Sequence, residues 1–346
     1  FDHPVLENGA KATSPVVVNL FGTPERVAAG LGITPDRLND LGAFLAALRT
    51  PTPPDGLRDA LSRWPLLKAA LATRPKVTKS APVQQVVKKG ADVDLARLPV
   101  QTHWPDDAGP LITWPVVVTR PHGSDIADVG RYNAGVYRAQ VLDRDRLIMR
   151  WLPHRGGAAH HQSWTRQAEK TPIAVVLGAD PATLLSAALP LPEAVSELTF
   201  AGALNGVRPR LVVAKTVPLM VPADAEMILE GWVSPAELAP EGPFGDHTGY
   251  YNRAEPFPVV EITAITHRKD PIYLSTYTGR PPDEPAIIGE VFNRLALPTI
   301  RAQIPEIHHL WLPPAACSSR MAVVSIDKRY PGQARRVMMA LWWIPI

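Results

Sequence analysis

From residue 111 to residue 278 the chain is a succession of short apolar runs rich in Val, Ile and Thr, each closed by Pro, Gly, Asn or Asp. Such punctuation excludes long helices over that stretch and favours strands joined by turns. The sequence holds 38 prolines, about twice the average share, and they stand singly between apolar runs rather than in a low-complexity tract. Strands are expected at 114–119, 134–142, 147–152, 173–177, 210–217, 226–233, 259–267 and 272–278, interrupted by one helix at 180–188 with Pro181 in its first turn. Eight strands spaced by turns suggest a closed or split β-barrel rather than a parallel doubly wound sheet.

The flanks read differently. A strand at 16–20 leads to Thr23, which caps a helix with Pro24 at its first position. Leu38, Leu41, Phe44, Leu45 and Leu48 recur at helical spacing over 35–48, a proline-rich linker follows at 50–55, and then come a second amphipathic helix at 57–71 and an extended stretch at 77–87. After Pro285 the pattern predicts a helix to Leu295, strands at 308–312 and 321–326, and a helix from Gln333. The expected fold class is α+β: an N-terminal α/β region (1–110), a central split β-barrel (111–284), and the start of a C-terminal α/β region (285–346). Both ends read as cut, because the last six residues are bulky and apolar and imply a continuation.

With 46% apolar and 20% charged residues the chain reads as globular, and a net charge of +3 with interspersed signs gives no nucleic-acid footprint. Its one cysteine, Cys317, excludes an internal disulfide and fits a reducing compartment. There is no apolar run of about 18 residues, so a cytoplasmic location is expected.

The chemistry concentrates in two clusters. Glu241-Gly-Pro-Phe-Gly-Asp246 places two carboxyls on a stretch that cannot be helical, and carboxyls held close keep a proton available near neutral pH; read alone, the run also fits a solvated turn. Upstream, the residues Pro153-His154-Arg155-Gly156-Gly157, with Arg150 before them, form either an anion-binding nest or a basic hairpin turn. Asn133, His154 and Glu197 together offer an amide oxygen, a nitrogen and a carboxylate, a set suited to Mn²⁺ or Mg²⁺ rather than structural zinc. Asn133 and Arg138 fall five residues apart on one expected strand, hence on opposite faces unless a bulge intervenes. The pairs His160-His161 and His308-His309 are expected to be half buried and half solvated.

The runs 133–138, 150–157, 177–182, 221–226, 241–251 and 276–285, in that order, resemble the UbiD family of prenylated-flavin-dependent decarboxylases. The resemblance implies that the central split barrel is of the flavin-reductase, FMN-binding type and makes Asn133, His154 and Glu197 ligands of Mn²⁺ or Mg²⁺, with K⁺ as a further candidate ion. It places Val136, Tyr137, Arg138, Arg150, Trp151, Leu152, Arg155 and Gly156 around prenylated FMN. It makes Arg138, Glu241 and Asp246 the catalytic trio. Asp rather than Glu at 246 points to the ubiquinone branch and to a polyprenylated 4-hydroxybenzoate. Implied partners are a flavin prenyltransferase supplying the cofactor, further copies of the chain, and peripheral contact with the inner membrane. Loss of CO₂ from an aromatic acid needs an electron sink that no side chain provides, so Arg138 would orient the carboxylate and Glu241 or Asp246 would protonate the ring carbon. Two alternatives accompany this reading: another aromatic acid as substrate, or a flavin-binding module without activity.

Overall fold

The computed structural model describes residues 1–6, 9–49, 64–192, 194–316 and 321–343. The expected linker at 50–55 and the first part of the helix expected at 57–71 lie outside the described residues. The chain opens with β1 (Val16–Val17) and helix α1 (Pro24–Gly30), whose first turn is capped by Thr23 Oγ1 accepting from the Arg26 N–H at 3.3 Å. Helices α2 (Leu38–Arg49) and α3 (Trp64–Ala72) follow. β2 (Lys76–Val77) later joins β10 (Arg210–Val213) and β11 (Met220–Pro222) in a three-stranded sheet.

The main sheet has nine strands. β3 (Val86–Lys89), β4 (Leu111–Ile112), β5 (Val116–Thr119), β6 (Asn133–Val136), β7 (Ala139–Val141), β8 (Arg146–Met149), β9 (Thr171–Leu177), β12 (Met227–Glu241) and β13 (Glu255–His267) supply it. Their order is β4-β7-β8-β13-β12-β9-β5-β6, with β3 also on β13 and each pairing antiparallel. β4 and β5 are segments of one run and β6 and β7 of the next, so the two ends of that order belong to one hairpin and the sheet is curled.

Alternation along the strands builds two cores. Val117, Ile173, Val175 and Leu177 pack inside the curl with Leu147, Met149, Leu229 and Val260. Val116, Val118, Ala174 and Val176 face outward into a second cluster with α1, α2, α5 (Pro181–Ala188), α6 (Glu197–Asn205) and α7 (Glu284–Gln303). β14 (Tyr273–Leu274) pairs in parallel with β1, which brings the chain's first strand beside the segment entering the acid-rich region. A third small core lies between α7, the hairpin β15 (Ile307–Trp311) and β16 (Val323–Ile326), and α8 (Gln333–Trp343).

Several expectations change. The strand expected at 134–142 is broken at Tyr137 and Arg138, and the break lets residues five apart reach the same cavity. Helices α4 (Gly156–Thr165) and α6 were not expected, because GGAAHHQSWT carries neither apolar periodicity nor a side-chain cap. His160 and His161 therefore sit on a helix, and each Nδ1 reaches a threonine hydroxyl: Thr119 at 3.0 Å and Thr171 at 2.8 Å. His308 and His309 are both exposed, because the β15–β16 register shifts between Ile307 and His309.

Candidate active site

One cavity of about 1050 Å³ opens where the β6–β7 break, the N-terminus of α4, the α5–α6 connection and the start of α7 meet. Asn133, Val136, Tyr137, Arg138, Arg150, Leu152, His154, Arg155, Gly156, Glu197 and Asp246 all line it. These come from strands, helix starts and loops far apart in sequence, and the packing of helices on the curled sheet brings them together.

Two expected residues stand behind the wall. Trp151 is buried, its ring 5.4 Å from that of His161, and its indole N–H has no hydrogen-bond partner among the described residues. Glu241 is fully buried at the end of β12. Its Oε1 accepts from Arg138 Nε at 2.7 Å, and its Oε2 accepts from Arg138 Nη2 at 3.1 Å and from Arg150 Nη1 at 2.6 Å. A bidentate guanidinium pair with a second arginine alongside is a strong, directional arrangement. It fixes both arginine heads at the cavity, each over an aromatic ring: Arg138 5.3 Å from Phe244 and Arg150 4.9 Å from Phe257.

Asp246 has a different partner. Its Oδ1 accepts from the backbone N–H of His247 at 2.7 Å and bonds His247 Nδ1 at 2.6 Å. Burial alone would raise the Asp246 carboxyl, but the hydrogen bonds and charge of His247, with help from Arg138, outweigh it and lower it to about 2. The expectation that Glu241 and Asp246 share a proton is therefore corrected. Two guanidiniums occupy one carboxyl and an imidazole occupies the other, and no hydrogen bond joins them.

On the opposite side, Glu197 begins α6 and its Oε2 accepts from the Ala134 N–H at 2.8 Å. Burial pushes its carboxyl up to about 7, against the pull of that bond. A carboxylate so desolvated suits a cation. Asn133 Oδ1 lies so close to Gly156 that a Cβ there would stand 2.0 Å away, so a side chain at 156 would displace the Asn133 amide. Tyr137 ties the corner: its hydroxyl accepts from the Gly157 N–H at 3.2 Å and donates to Asn133 Oδ1 at 3.4 Å. With His154 and Arg155 exposed at the rim beside the N-terminus of α4, the chemistry of the corner suits an anionic phosphate and a hard metal ion together.

Sequence reasoning missed the residues that hold the acid loop. Asp107 Oδ1 accepts from the Gly245 N–H at 2.9 Å, and Oδ2 from the N–H groups of Trp104 at 2.9 Å and His103 at 3.1 Å. Trp104 Nε1 donates to the Thr278 carbonyl at 2.9 Å, and its ring lies where a Cβ on Gly245 would be, at 2.3 Å. Asn252 Oδ1 accepts from both Arg138 Nη2 at 2.9 Å and the Phe244 N–H at 3.0 Å, coupling the arginine to the loop. No spacing announces these contacts, since Trp104 and Thr278 are 174 residues apart.

A curled antiparallel sheet whose cavity gathers a glycine-lined helix start, two arginines and a buried carboxyl behind them is suited to an enzyme of acidic substrates, and comparison with known proteins narrows it. Residues 75–281 match the family model for the 3-octaprenyl-4-hydroxybenzoate carboxy-lyase Rift-related domain, and residues 286–345 that for the C-terminal domain of the same carboxy-lyase. The UbiD-class enzyme HmfF from Pelotomaculum thermopropionicum, solved with FMN, is 30% identical with a TM-score of 0.77, covering 96% of this chain and 68% of that one. An evolved dimeric form of HmfF, solved with prFMN, is 31% identical with a TM-score of 0.77, covering 96% of this chain and 71% of that one. Vanillic acid decarboxylase from Sedimentibacter hydroxybenzoicus in its closed form is 28% identical with a TM-score of 0.78, covering 95% of this chain and 66% of that one. The chain belongs to the UbiD family of carboxy-lyases.

Proposed function

We propose that this chain is the ubiquinone-branch member of its family, removing CO₂ from 4-hydroxy-3-polyprenylbenzoate to give the 2-polyprenylphenol. The observation that carries a decarboxylase reading is Arg138, bound through one face to buried Glu241, with Asp246 on the same cavity wall. The cofactor would be prenylated FMN, its phosphate held by Arg155, Gly156 and the N-terminus of α4, with Val136, Tyr137, Arg150 and Leu152 around the rest and Trp151 packed behind them. Mn²⁺ or Mg²⁺ would be held by Asn133, His154 and Glu197, with K⁺ a further candidate ion. When bound, the prenylated flavin supplies the electron sink for the departing carboxylate. Arg138 orients the substrate carboxylate with the guanidinium face that Glu241 leaves open. The ring carbon then takes its proton from Asp246. We read the curled sheet as a split barrel of the flavin-reductase type, supported by the way its terminal pairings share one hairpin.

The apolar side of the cavity, with Leu189, Leu191, Ile288 and Phe292, supports an aromatic ring carrying a hydrocarbon tail. Such a substrate places the protein at the cytoplasmic face of the inner membrane as a peripheral visitor, and no helix among the described residues is long and apolar enough to cross it. A flavin prenyltransferase would supply the cofactor, and the active form would be a homo-oligomer. The second reading is decarboxylation of a small aromatic acid, favoured by the vanillic acid decarboxylase likeness. Purified protein loaded with prenylated FMN, given polyprenylated and simple 4-hydroxybenzoates side by side, decides between them. Turnover of the prenylated acid supports the proposal, turnover of simple acids alone supports the second reading, and no CO₂ from either refutes both. In D₂O the product must carry deuterium at the carbon that lost CO₂.

A further inference from the structure

The proposed donor, Asp246, poses a problem that the site itself answers. A carboxyl lowered to about 2 holds almost no proton at neutral pH. An ionised carboxylate can only accept, so the 2.6 Å contact fixes the proton on His247 Nδ1. Both bonds from His247 fall on Asp246 Oδ1, and the carboxyl is part of the cavity wall. The imidazole is only partly exposed, at 36%. A second acid acts on it: Asp283, the N-cap of α7, is buried, its Oδ1 accepts from the Ala286 N–H at 3.0 Å, and its Oδ2 has no hydrogen-bond partner. Burial raises the Asp283 carboxyl, and the Ala286 and Gly279 N–H groups and, less strongly, the charge of His247 pull it back down, so the imidazole and this carboxyl interact electrostatically. Arg138 acts on Asp246 from the cavity side, and Arg280 packs against Gly249 two residues beyond His247. An imidazole hydrogen-bonded to a carboxylate is favoured as imidazolium.

We propose that His247 is the proton store of this site, a positioning residue that holds Asp246 through Nδ1 and hands it the proton that the substrate carbon receives, with Asp283 as the second anion that keeps the imidazole charged. The proposal rests on the decarboxylase reading. The hand-over balances in two steps. The Nδ1–H bond of the imidazolium breaks as an O–H bond forms on Asp246; that O–H bond then breaks as the C–H bond forms on the carbon that lost CO₂. The neutral imidazole left behind regains a proton from water, and no oxidant or reductant takes part. The imidazole is partly exposed to solvent and outside the cavity lining, while Asp246 is part of that lining.

Two measurements test this. The first needs neither cofactor nor substrate: long-range ¹H–¹⁵N NMR of the histidine-labelled protein. His247 should keep its proton on Nδ1 when neutral, and its titration midpoint should fall by about one pH unit or more in Asp246→Asn and by less in Asp283→Asn. Identical titration in wild type and Asp246→Asn would overturn the pair. The second uses the loaded enzyme. His247→Gln should retain flavin, lower kcat at least tenfold with KM little changed, shift the limb of the pH profile that reports the proton supply, and recover in part with added imidazole. Asp283→Asn should move the same limb without loss of fold. Full kcat with an unchanged pH profile in His247→Gln would refute the hand-over. A wild-type protein that shows the paired titration yet releases CO₂ from no aromatic acid would refute the functional reading and the hand-over with it, leaving the His247–Asp246 pair standing.

Discussion

Glu241 shows how one buried carboxylate can organise a site without lining it. Fully buried, it accepts three hydrogen bonds from two guanidiniums whose side chains are only 17% and 18% exposed. Removing one partner leaves charge in a dry environment. Arg138→Met should therefore cost about 3 to 5 kcal/mol of folding stability, read from the urea midpoint, whereas Arg150→Met, which removes one of the three bonds, should cost less. His160 offers a pH test of the same principle with the sign reversed in charge. Burial lowers its imidazole from 6.5 to about 4, so the folded state favours the neutral ring. The unfolded chain then binds more protons between those values, and stability is complete above about pH 6.5 and lost as pH falls through about 4. Relative to His160→Gln, the wild type should lose on the order of 3 kcal/mol across that window. A constant difference between the two proteins at both ends would contradict the burial argument.

At the scale of elements, the acid loop is held from outside by the turn at 103–108. Asp107 binds the Gly245 N–H and the Ala108 N–H donates to the Pro243 carbonyl at 2.9 Å, while the Trp104 ring fills the space a side chain at 245 would take. Gly245→Ala should cost about 1 to 3 kcal/mol through overpacking. Combined with Trp104→Leu, the cost should be smaller than the sum, because the clash is relieved; strict additivity of urea-derived stabilities would disprove direct contact. This bracket also shows what the sequence made legible. Strand texture and the cap at Thr23 and Pro24 could be read from local chemistry, and eleven of the residues singled out, several of them on the family resemblance alone, line one cavity. The helix α4 was hidden because Gly156 and Gly157 serve close approach rather than helix propensity. The bracket was hidden because its partners are joined by tertiary geometry, and Asp107 bears no motif. The separate ties of Glu241 and Asp246 were invisible for the same reason: five residues of spacing say nothing about which cation each acid meets.

Across the whole molecule, Glu284 knots the three parts together. Buried at the start of α7, it accepts from the Phe21 N–H at 2.6 Å and from Trp114 Nε1 at 3.3 Å, joining the first strand's exit and the curled sheet to the C-terminal helix. Glu284→Ala orphans two buried donors and should cost about 2 to 6 kcal/mol, with Glu284→Gln intermediate because it retains one acceptor. Equal stability of the wild type and both variants in urea would show that water replaces the carboxyl. The Phe21–Glu284 bond spans 263 residues, and β1 waits for β14 over nearly the same distance. Synthesis at about 5 to 20 residues per second separates these partners by roughly 13 to 50 seconds on the ribosome. Through that interval the faces of Phe21, Val27 and Leu38 that later meet α7 have no wall to rest on. The growing chain thus presents an apolar surface to the cell well before its catalytic corner exists, and a holding chaperone has that long to find it.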